Sequence, residues 1–193
     1  MKILNYILLT AFFCMASTAN ANDWQASKDS NLTFSSSFQS EVFTGTFTRF
    51  TPQIRFNPKQ LSDSRFDVII DLSSVDSKNS ERDETLKTSD FFNIKKSLTA
   101  RYTATQFKHL GNNRYLASGK LTLNGITKPV NLIFTWVQNN GAVLNGDAVV
   151  NRLDFNIGTG DWTDTELLPN AVKVHTKLKL NAKPATKASP AQP

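Results

Sequence analysis

The sequence has very little of the chemistry that enzymes use. Its 193 residues include one cysteine, Cys14, and two histidines, His109 and His175, and they contain no Gly-x-Ser-x-Gly elbow, phosphate-binding loop or dinucleotide fingerprint. Both histidines are expected at the surface, and a metal site without cysteine would depend on carboxylates. The carboxylates, such as Asp161 and Asp164, follow no ligand-like spacing. We therefore expect a non-catalytic protein with no metal and no required cofactor.

Long apolar runs are also scarce, and the one that is present lies at the start of the chain. Lys2 is followed by an almost unbroken apolar run over residues 3–15, and Ala19-Asn20-Ala21 then offers a small-x-small cleavage site. This layout predicts a secretory signal peptide over residues 1–21, cleaved after Ala21, and export of the mature chain. Cys14 leaves with the signal peptide, so the mature chain can form no disulfide. No later run is long enough to span a bilayer.

The charge of the chain is modest and is not clustered. The formal net charge is +6, and the loss of Lys2 lowers it by one. Such a balance argues against nucleic acid as a partner and is compatible with a transient contact with a membrane surface. Residues 183–193 contain no large apolar side chain, which predicts a disordered tail. Residues 22–182 are then one domain of ordinary size.

The main signal in this domain is an alternation with a period of two. Over residues 171–180, apolar side chains such as Val172 and Val174 alternate with Lys173 and His175. Similar alternation over 66–72 and 130–137 predicts further half-buried strands. The turns between such segments carry Asn124-Gly125, Asn140-Gly141 and the GNN sequence at 111–113, which are typical of hairpins. These patterns predict an antiparallel meander.

One segment departs from this period and predicts a short helix. Residues 80–92 are rich in helix formers, and Ser80 with Asp83 three residues later has the spacing of a capping box. About eight strands, one helix and short hairpins fit a closed barrel or a two-sheet sandwich. The abundance of phenylalanine, 14 in the whole chain, favours a barrel. Bulky rings can either wall a slender cavity or fill it, so the residues leave a hollow and a solid interior equally open.

Three clusters stand out from this background. Residues 82–92 predict a helix docked by Leu86, Phe91 and Phe92 over one end of the barrel, residues 119–130 predict a hairpin, and residues 151–158 carry a charged pair at a strand end, Arg152 and Asp154. That pair is either exposed or a buried ion pair that fixes the following loop.

Together with further motifs, these clusters resemble the YceI-like family of periplasmic lipid- and polyisoprenoid-binding proteins. The motifs, in order, are Trp24, a strand at 32–38, TGTFTRF at 44–50, DLSSVD at 71–76, RDETLKTSDFF at 82–92, GKLTLNGITKPV at 119–130, NRLDFNIG at 151–158 and a strand at 172–180. The chain departs from the family in two connections. It has KKSL at 95–98 instead of a Tyr-Pro-like step, and DFN at 154–156 instead of Asp-Phe-Gly.

The resemblance implies an all-β, eight-stranded antiparallel lipocalin-like barrel with one short helix near a barrel end. It also implies a non-catalytic carrier in the periplasm that holds a long-chain isoprenoid or related lipid, of the quinone or polyprenyl phosphate type, in an apolar interior. A ligand-free interaction module that acts through its loops is the alternative. The sequence leaves a homodimer open.

The inward positions of the expected barrel are the candidates for contact with the lipid. They are Phe43, Phe47, Val68, Ile70, Leu72, Phe91, Phe92, Leu121, Leu123, Leu132, Phe134 and Trp136. Three cations at the expected mouth of the barrel are the candidates for contact with a lipid headgroup: Arg82, Lys128 and Arg152.

Overall fold

The computed structural model of the chain describes residues 23–183, and the predicted signal peptide and all but the first residue of the predicted tail lie outside them. The strands are β1 Asp23–Ala26, β2 Asn31–Phe38, β3 Glu41–Phe47, β4 Phe50–Arg55, β5 Arg65–Asp71, β6 Val75–Asp76, β7 Thr99–Gly111, β8 Arg114–Leu123, β9 Ile126–Gln138, β10 Ala142–Asn151 and β11 Ala171–Ala182, and the helix α1 is Ser80–Lys87. Among the described residues, no helix has both the length and the apolar composition that a membrane span requires.

The strands close into one antiparallel barrel. β1 pairs with β4 on one side and with β11 on the other, and β2 pairs with β3 and with β11. β1 and β2 are therefore two pieces of one barrel strand, interrupted at residues 27–30, and β3 and β4 are two pieces of the next strand. β5, which pairs with β4, and β6, which pairs with β3, are likewise two pieces of one strand, interrupted at residues 72–74. With each of these three broken strands counted once, eight strands form the ring, and the predicted fold class is confirmed. The continuous pairing excludes the two-sheet sandwich.

The predicted hairpins are present, with one difference in backbone conformation. Asn112 and Asn113 join β7 to β8 and Asn124 joins β8 to β9, each with a positive φ as expected. The turn between β9 and β10 is made differently, because neither Asn140 nor Gly141 has a positive φ. The amide of Asn139 donates to the carbonyl of Gly141 there, at 2.9 Å.

The helix lies where it was predicted, but its cap is one residue earlier. Asn79 is the N-cap, and its side chain accepts from the amide of Arg82 at 2.9 Å. Asp83 instead accepts from the amide of Ser77 at 2.9 Å, so the predicted capping box of Ser80 and Asp83 is wrong. Asn and Ser are nearly equal as N-caps, and sequence spacing alone does not choose between neighbours.

Leu86, Phe91 and Phe92 are buried, as predicted for a helix docked on the barrel. The segment after α1 meets the long connection between β10 and β11. The amides of Gly158 and Thr159 both donate to the carbonyl of Asp90, and the rings of Phe91 and Trp162 lie 5.2 Å apart. We call this end of the molecule, formed by α1 and residues 88–98 and 152–170, the helix end.

Candidate functional site

The interior of the barrel is divided into a solid half and a hollow half. The solid half, farther from the helix end, is packed with aromatic rings that we call the aromatic block: Trp24, Phe56, Phe66, Phe107, Tyr115, Phe134 and Trp136. Phe56 lies at its centre, with ring centroids 4.7 Å from Trp136, 5.1 Å from Tyr115 and 5.3 Å from Phe134. Edge-to-face and tilted arrangements dominate, as expected for closely packed rings.

The hollow half contains a cavity of about 210 Å³ that reaches the helix end. Its walls are almost entirely apolar and come from strands around the whole ring. Side chains such as Val68, Leu132 and Val174 remain half-buried although they point inward, because they face this cavity rather than a packed core. The floor consists of residues shared with the solid half: Ile54, Phe66, Leu144 and Leu178.

Ten of the twelve predicted contact residues line this cavity. They are Phe43, Phe47, Val68, Ile70, Leu72, Phe91, Phe92, Leu121, Leu123 and Leu132. The other two, Phe134 and Trp136, point inward as their alternation requires but lie in the aromatic block and outside the cavity wall. β9 runs from the cavity into the block, so its inward face passes from Val130 and Leu132 to these two rings. Alternation indicates which side of a strand faces inward, but not where the interior is filled.

Several wall residues were missed from the sequence. They include Leu32 and Phe34 on β2, and Val172, Val174 and Leu178 on β11. The strand alternation over 171–180 is the clearest in the chain, so it could have identified the β11 residues. No such signal marks Phe66 as a floor residue, because that role depends on the rings packed behind it.

Two wall rings lie directly against glycines of the barrel. A β-carbon at Gly45, which pairs with Phe34, would lie 2.3 Å from the Cζ of that ring. A β-carbon at Gly119 would lie 2.3 Å from the Cζ of Tyr102. The Tyr102 hydroxyl donates to the carbonyl of Ala117 at 3.3 Å, and burial raises the pKa of Tyr102, so the phenol stays neutral. Only glycine leaves room for these rings at positions 45 and 119.

Arg152 is a buried cation at the helix end of the cavity. It is 3% exposed, and its guanidinium donates to four backbone carbonyls: Leu168 at 2.7 Å, Ile157 at 3.0 Å, and Gly158 and Pro169 at 3.1 Å. Asp154 is exposed, so the sequence-based alternative of a buried pair between Arg152 and Asp154 is wrong. The partners are carbonyls, and burial without an anion lowers the pKa of Arg152.

The residue that departs from the Asp-Phe-Gly pattern lies beside this network. Asn156 has a φ of 53°, in the left-handed region that glycine adopts most readily. Asn is several-fold enriched there compared with other non-glycine residues, so the substitution preserves the turn.

The other two headgroup candidates differ in their positions. Arg82 projects over Phe43 of the cavity wall, with its Cζ 4.5 Å from the ring centroid. Its Nε donates to Ser77 Oγ at 2.8 Å and its Nη2 to the Ser77 carbonyl at 3.0 Å, and no carboxylate lies within ion-pair distance of it among residues 23–183. Lys128 lies on β9, where it pairs with Leu121 of β8. Its side chain is exposed and is not part of the cavity wall.

The cavity wall also carries a hydroxyl without a partner. Ser36 Oγ is shielded from solvent and makes no hydrogen bond within the described part of the chain. Ser36 pairs with Phe43, so its hydroxyl lies in the same part of the wall as the ring under Arg82. A buried hydroxyl without a partner is costly, and a polar group on a bound molecule would remove that cost.

Neither histidine lines the cavity. His109 and His175 are exposed, as expected, and His175 Nδ1 lies 2.8 Å from Asp147 Oδ1 on the outside of the barrel. Within residues 23–183, no group of three or more histidine, cysteine or carboxylate side chains is close enough to hold a metal ion.

Comparison with known proteins adds to this geometry. A model of the YceI-like domain matches residues 24–182 of the chain, from β1 to the end of β11. The chain belongs to the YceI-like domain family. A UPF0312 protein of Vibrio campbellii is 30% identical to this YceI-like chain over 139 residues, 67% of the chain and 74% of the relative. A UPF0312 protein of Serratia proteamaculans is 40% identical over 88 residues, 46% of the chain and 45% of the relative. The resemblance inferred from the motifs is confirmed.

Two solved structures have the same fold as this YceI-like chain. BcnA of Burkholderia cenocepacia has a TM-score of 0.77 and 27% sequence identity, and the match covers 80% of this chain and 98% of that one. A polyisoprenoid binding domain from Saccharophagus degradans has a TM-score of 0.64 and 19% identity, and the match covers 84% of this chain and 99% of that one. Because the identity to the Saccharophagus degradans domain is only 19%, that comparison shows a likeness of fold alone.

Proposed function

We propose that this YceI-like protein is a non-catalytic carrier in the periplasm that holds the apolar chain of an isoprenoid or a related long-chain lipid. The apolar cavity in the hollow half of the barrel is the observation that carries this proposal. An engineered apolar cavity of about 150 Å³ stays dry and binds benzene, so a larger one with similar walls favours an apolar guest. The polyisoprenoid binding domain from Saccharophagus degradans, which has the same fold, also supports it.

The affinity of such a site would come from burial of the lipid tail. Each methylene group removed from water contributes about 0.8 kcal/mol, so a tail of several isoprene units needs little polar recognition to bind tightly. A quinone or a polyprenyl phosphate would satisfy this requirement equally well along its tail. The distinction between them would depend on the polar residues at the helix end.

The arrangement of the barrel also supports one orientation of the lipid. The aromatic block occupies the opposite half, so a tail would enter from the helix end and leave its headgroup there. Arg82 and Arg152 contribute positive charge at that end without a carboxylate partner among the described residues, and Ser36 contributes a free hydroxyl. This environment favours a headgroup with anionic or strongly electronegative oxygens.

Filling the cavity should abolish lipid binding. Ala148 lines the cavity on β10, and in A148W the indole would occupy space that the tail needs. The expected result is at least a hundredfold rise in the Kd for farnesol, measured by displacement of a fluorescent fatty acid from delipidated protein. Loss of burial for a few methylene groups alone is enough for such a change.

The next residue along the same strand provides the matched control. Val149 points outward and is 57% exposed, so V149W should keep the Kd of the wild type. Equal Kd values for A148W and the wild type, with both folded by circular dichroism, would contradict binding in this cavity. Organic extraction of the protein purified from its host, followed by mass spectrometry, would then test whether any apolar molecule accompanies the chain.

The headgroup assignment predicts a preference for anionic lipids. We expect farnesyl phosphate to bind the wild type about tenfold more tightly than farnesol, because a charge-assisted hydrogen bond to Arg82 contributes about 1.5–3 kcal/mol before solvent screening. R82Q should remove most of this preference and leave the Kd for farnesol unchanged. R114Q removes the same charge from an exposed position on β8 and should keep the preference. An unchanged ratio in R82Q would exclude Arg82 as a headgroup contact.

The alternative of a ligand-free interaction module is less favoured, because the hollow half of the barrel has no role in it. Leu167 of the helix end is exposed, and so are Phe38 and Val42 of the adjacent β2–β3 hairpin, where the Phe38 ring lies 5.8 Å from that of Trp162. These side chains would suit a transient contact with a membrane from which lipid is taken. Flotation with vesicles tests this contact, and cell fractionation tests export to the periplasm. Sedimentation analysis tests the homodimer that the sequence leaves open.

A further inference from the structure

The aromatic block divides the barrel at a defined depth. Ile54, Phe66, Leu144 and Leu178 form the boundary, because each lines the cavity and also packs in the solid core. Phe66 is 1% exposed, and its ring has three aromatic neighbours, at 4.8 Å from Phe107, 5.3 Å from Phe134 and 5.9 Å from Phe56. A tail that reached Phe66 would meet a ring that its neighbours hold in place.

The length of the hollow half follows from the strands that line it. From Leu144 on β10 the wall extends to Arg152, the first residue after that strand, which is about 26 Å along the chain at about 3.3 Å per residue. On β11 it extends from Leu178 to Val172, about 20 Å by the same measure. With strands tilted by about 40° from the barrel axis, the cavity is about 15–20 Å deep. The whole barrel, measured along the 13 residues of β9, is about 30 Å long on the same basis.

We propose that the aromatic block limits the lipid tail inside the barrel to about three or four isoprene units, with Phe66 as the residue that stops it. This inference rests on the proposed function. An extended hydrocarbon chain advances about 1.25 Å per carbon, as follows from a C–C bond of about 1.52 Å, so the cavity holds about 12–16 main-chain carbons. An isoprene unit contributes four of them. Longer tails leave their surplus outside the helix end, where it gains no burial.

The inference is specific to how this chain fills its barrel. A barrel that was hollow along its full length of about 30 Å would hold a tail of about six isoprene units. In this chain, the seven rings of the aromatic block fill the half that the additional units would occupy. Because the rings are tightly interlocked, opening the block would break many contacts for each added unit of tail. The block therefore sets the length of the tail, while the polar residues at the helix end act on the headgroup.

A chain-length series of prenols tests this limit. Delipidated wild-type protein is titrated with prenols of two, three, four, six and nine isoprene units in competition with a fluorescent fatty acid. We expect the Kd to fall by at least tenfold per unit up to four units, since each buried methylene is worth about fourfold, and to stay constant beyond that. In F66A the fall should continue for one further unit, because the ring no longer closes the floor.

Two further variants keep the test decisive. Ile69 lies on the same strand as Phe66 but is 40% exposed and is not part of the cavity wall, so I69A should keep the limit of the wild type. F66L removes less of the cavity floor than F66A does, and it replaces F66A in this test if F66A does not fold. A Kd that keeps falling up to nine units in the wild type, or a limit unchanged in F66A and F66L, would overturn the inference and leave lipid binding intact. No binding of any prenol would overturn the proposed function itself.

Discussion

Replacing Phe56 with alanine is expected to lower the free energy of unfolding by about 4 kcal/mol. Phe56 is 1% exposed and touches five other rings of the aromatic block, so its removal leaves a cavity that rigid neighbours cannot refill. For a domain of this size, the corresponding fall in Tm is about 8–16 °C. Urea unfolding monitored by tryptophan fluorescence, with thermal melting, measures both quantities.

The control for this prediction is a phenylalanine outside the block. Phe38 is 37% exposed at the end of β2, and F38A should lower the free energy of unfolding by about 1 kcal/mol or less. A similarly small loss in F56A would mean that the solid half is loosely packed, and the limit on tail length would lose its physical basis.

Replacing Arg152 with leucine is expected to lower the free energy of unfolding by about 3 kcal/mol. Four carbonyls of the connection between β10 and β11 lose their donor, at about 1–3 kcal/mol for each that stays buried and unsatisfied. Removal of the cost of burying a charge offsets part of this loss. The connection should also loosen, so limited proteolysis should cleave R152L within residues 153–170 much faster than the wild type.

A graded pair of variants accompanies this measurement. R152K keeps the charge but replaces a planar fork with a single ammonium group, so it should lose stability to an intermediate extent. Arg114 is exposed on β8, and R114L should change stability by no more than about 0.5 kcal/mol. Wild-type stability in R152L would show that the carbonyls find water or other donors, and that Arg152 is not the residue that holds the connection.

The fold of this chain could be predicted largely from local patterns. Alternation over 171–180 gives a strand with one apolar face, and Asn124-Gly125 fixes a hairpin through backbone conformation that few other residues adopt. The breaks in the first two barrel strands had no such signal. β1 and β2 are separated at 27–30 and β3 and β4 at 48–49, where pairing with distant strands rather than local sequence decides the path of the backbone.

The candidate site could be predicted only in part, for a different physical reason. Leu132 and Phe134 are equivalent by alternation, and both point inward, yet the first lines the cavity and the second belongs to the aromatic block. The difference depends on rings contributed by β5, β7, β8 and Phe56, the residue that follows β4, and no single strand reveals this. Arg152 was identified as a charged residue at a strand end, but its carbonyl partners lie up to 17 residues away along the chain. Their convergence is a property of the folded connection.

The glycines behind Phe34 and Tyr102 have a consequence for variation within the family. A methyl group at position 45 or 119 would displace a ring that has free space only toward the barrel axis, and so would narrow the bore. Single substitutions on β3 and β8 would thus change the width of the cavity, whereas its depth depends on the aromatic block. Related chains could therefore accept thin or branched guests without altering how far those guests reach.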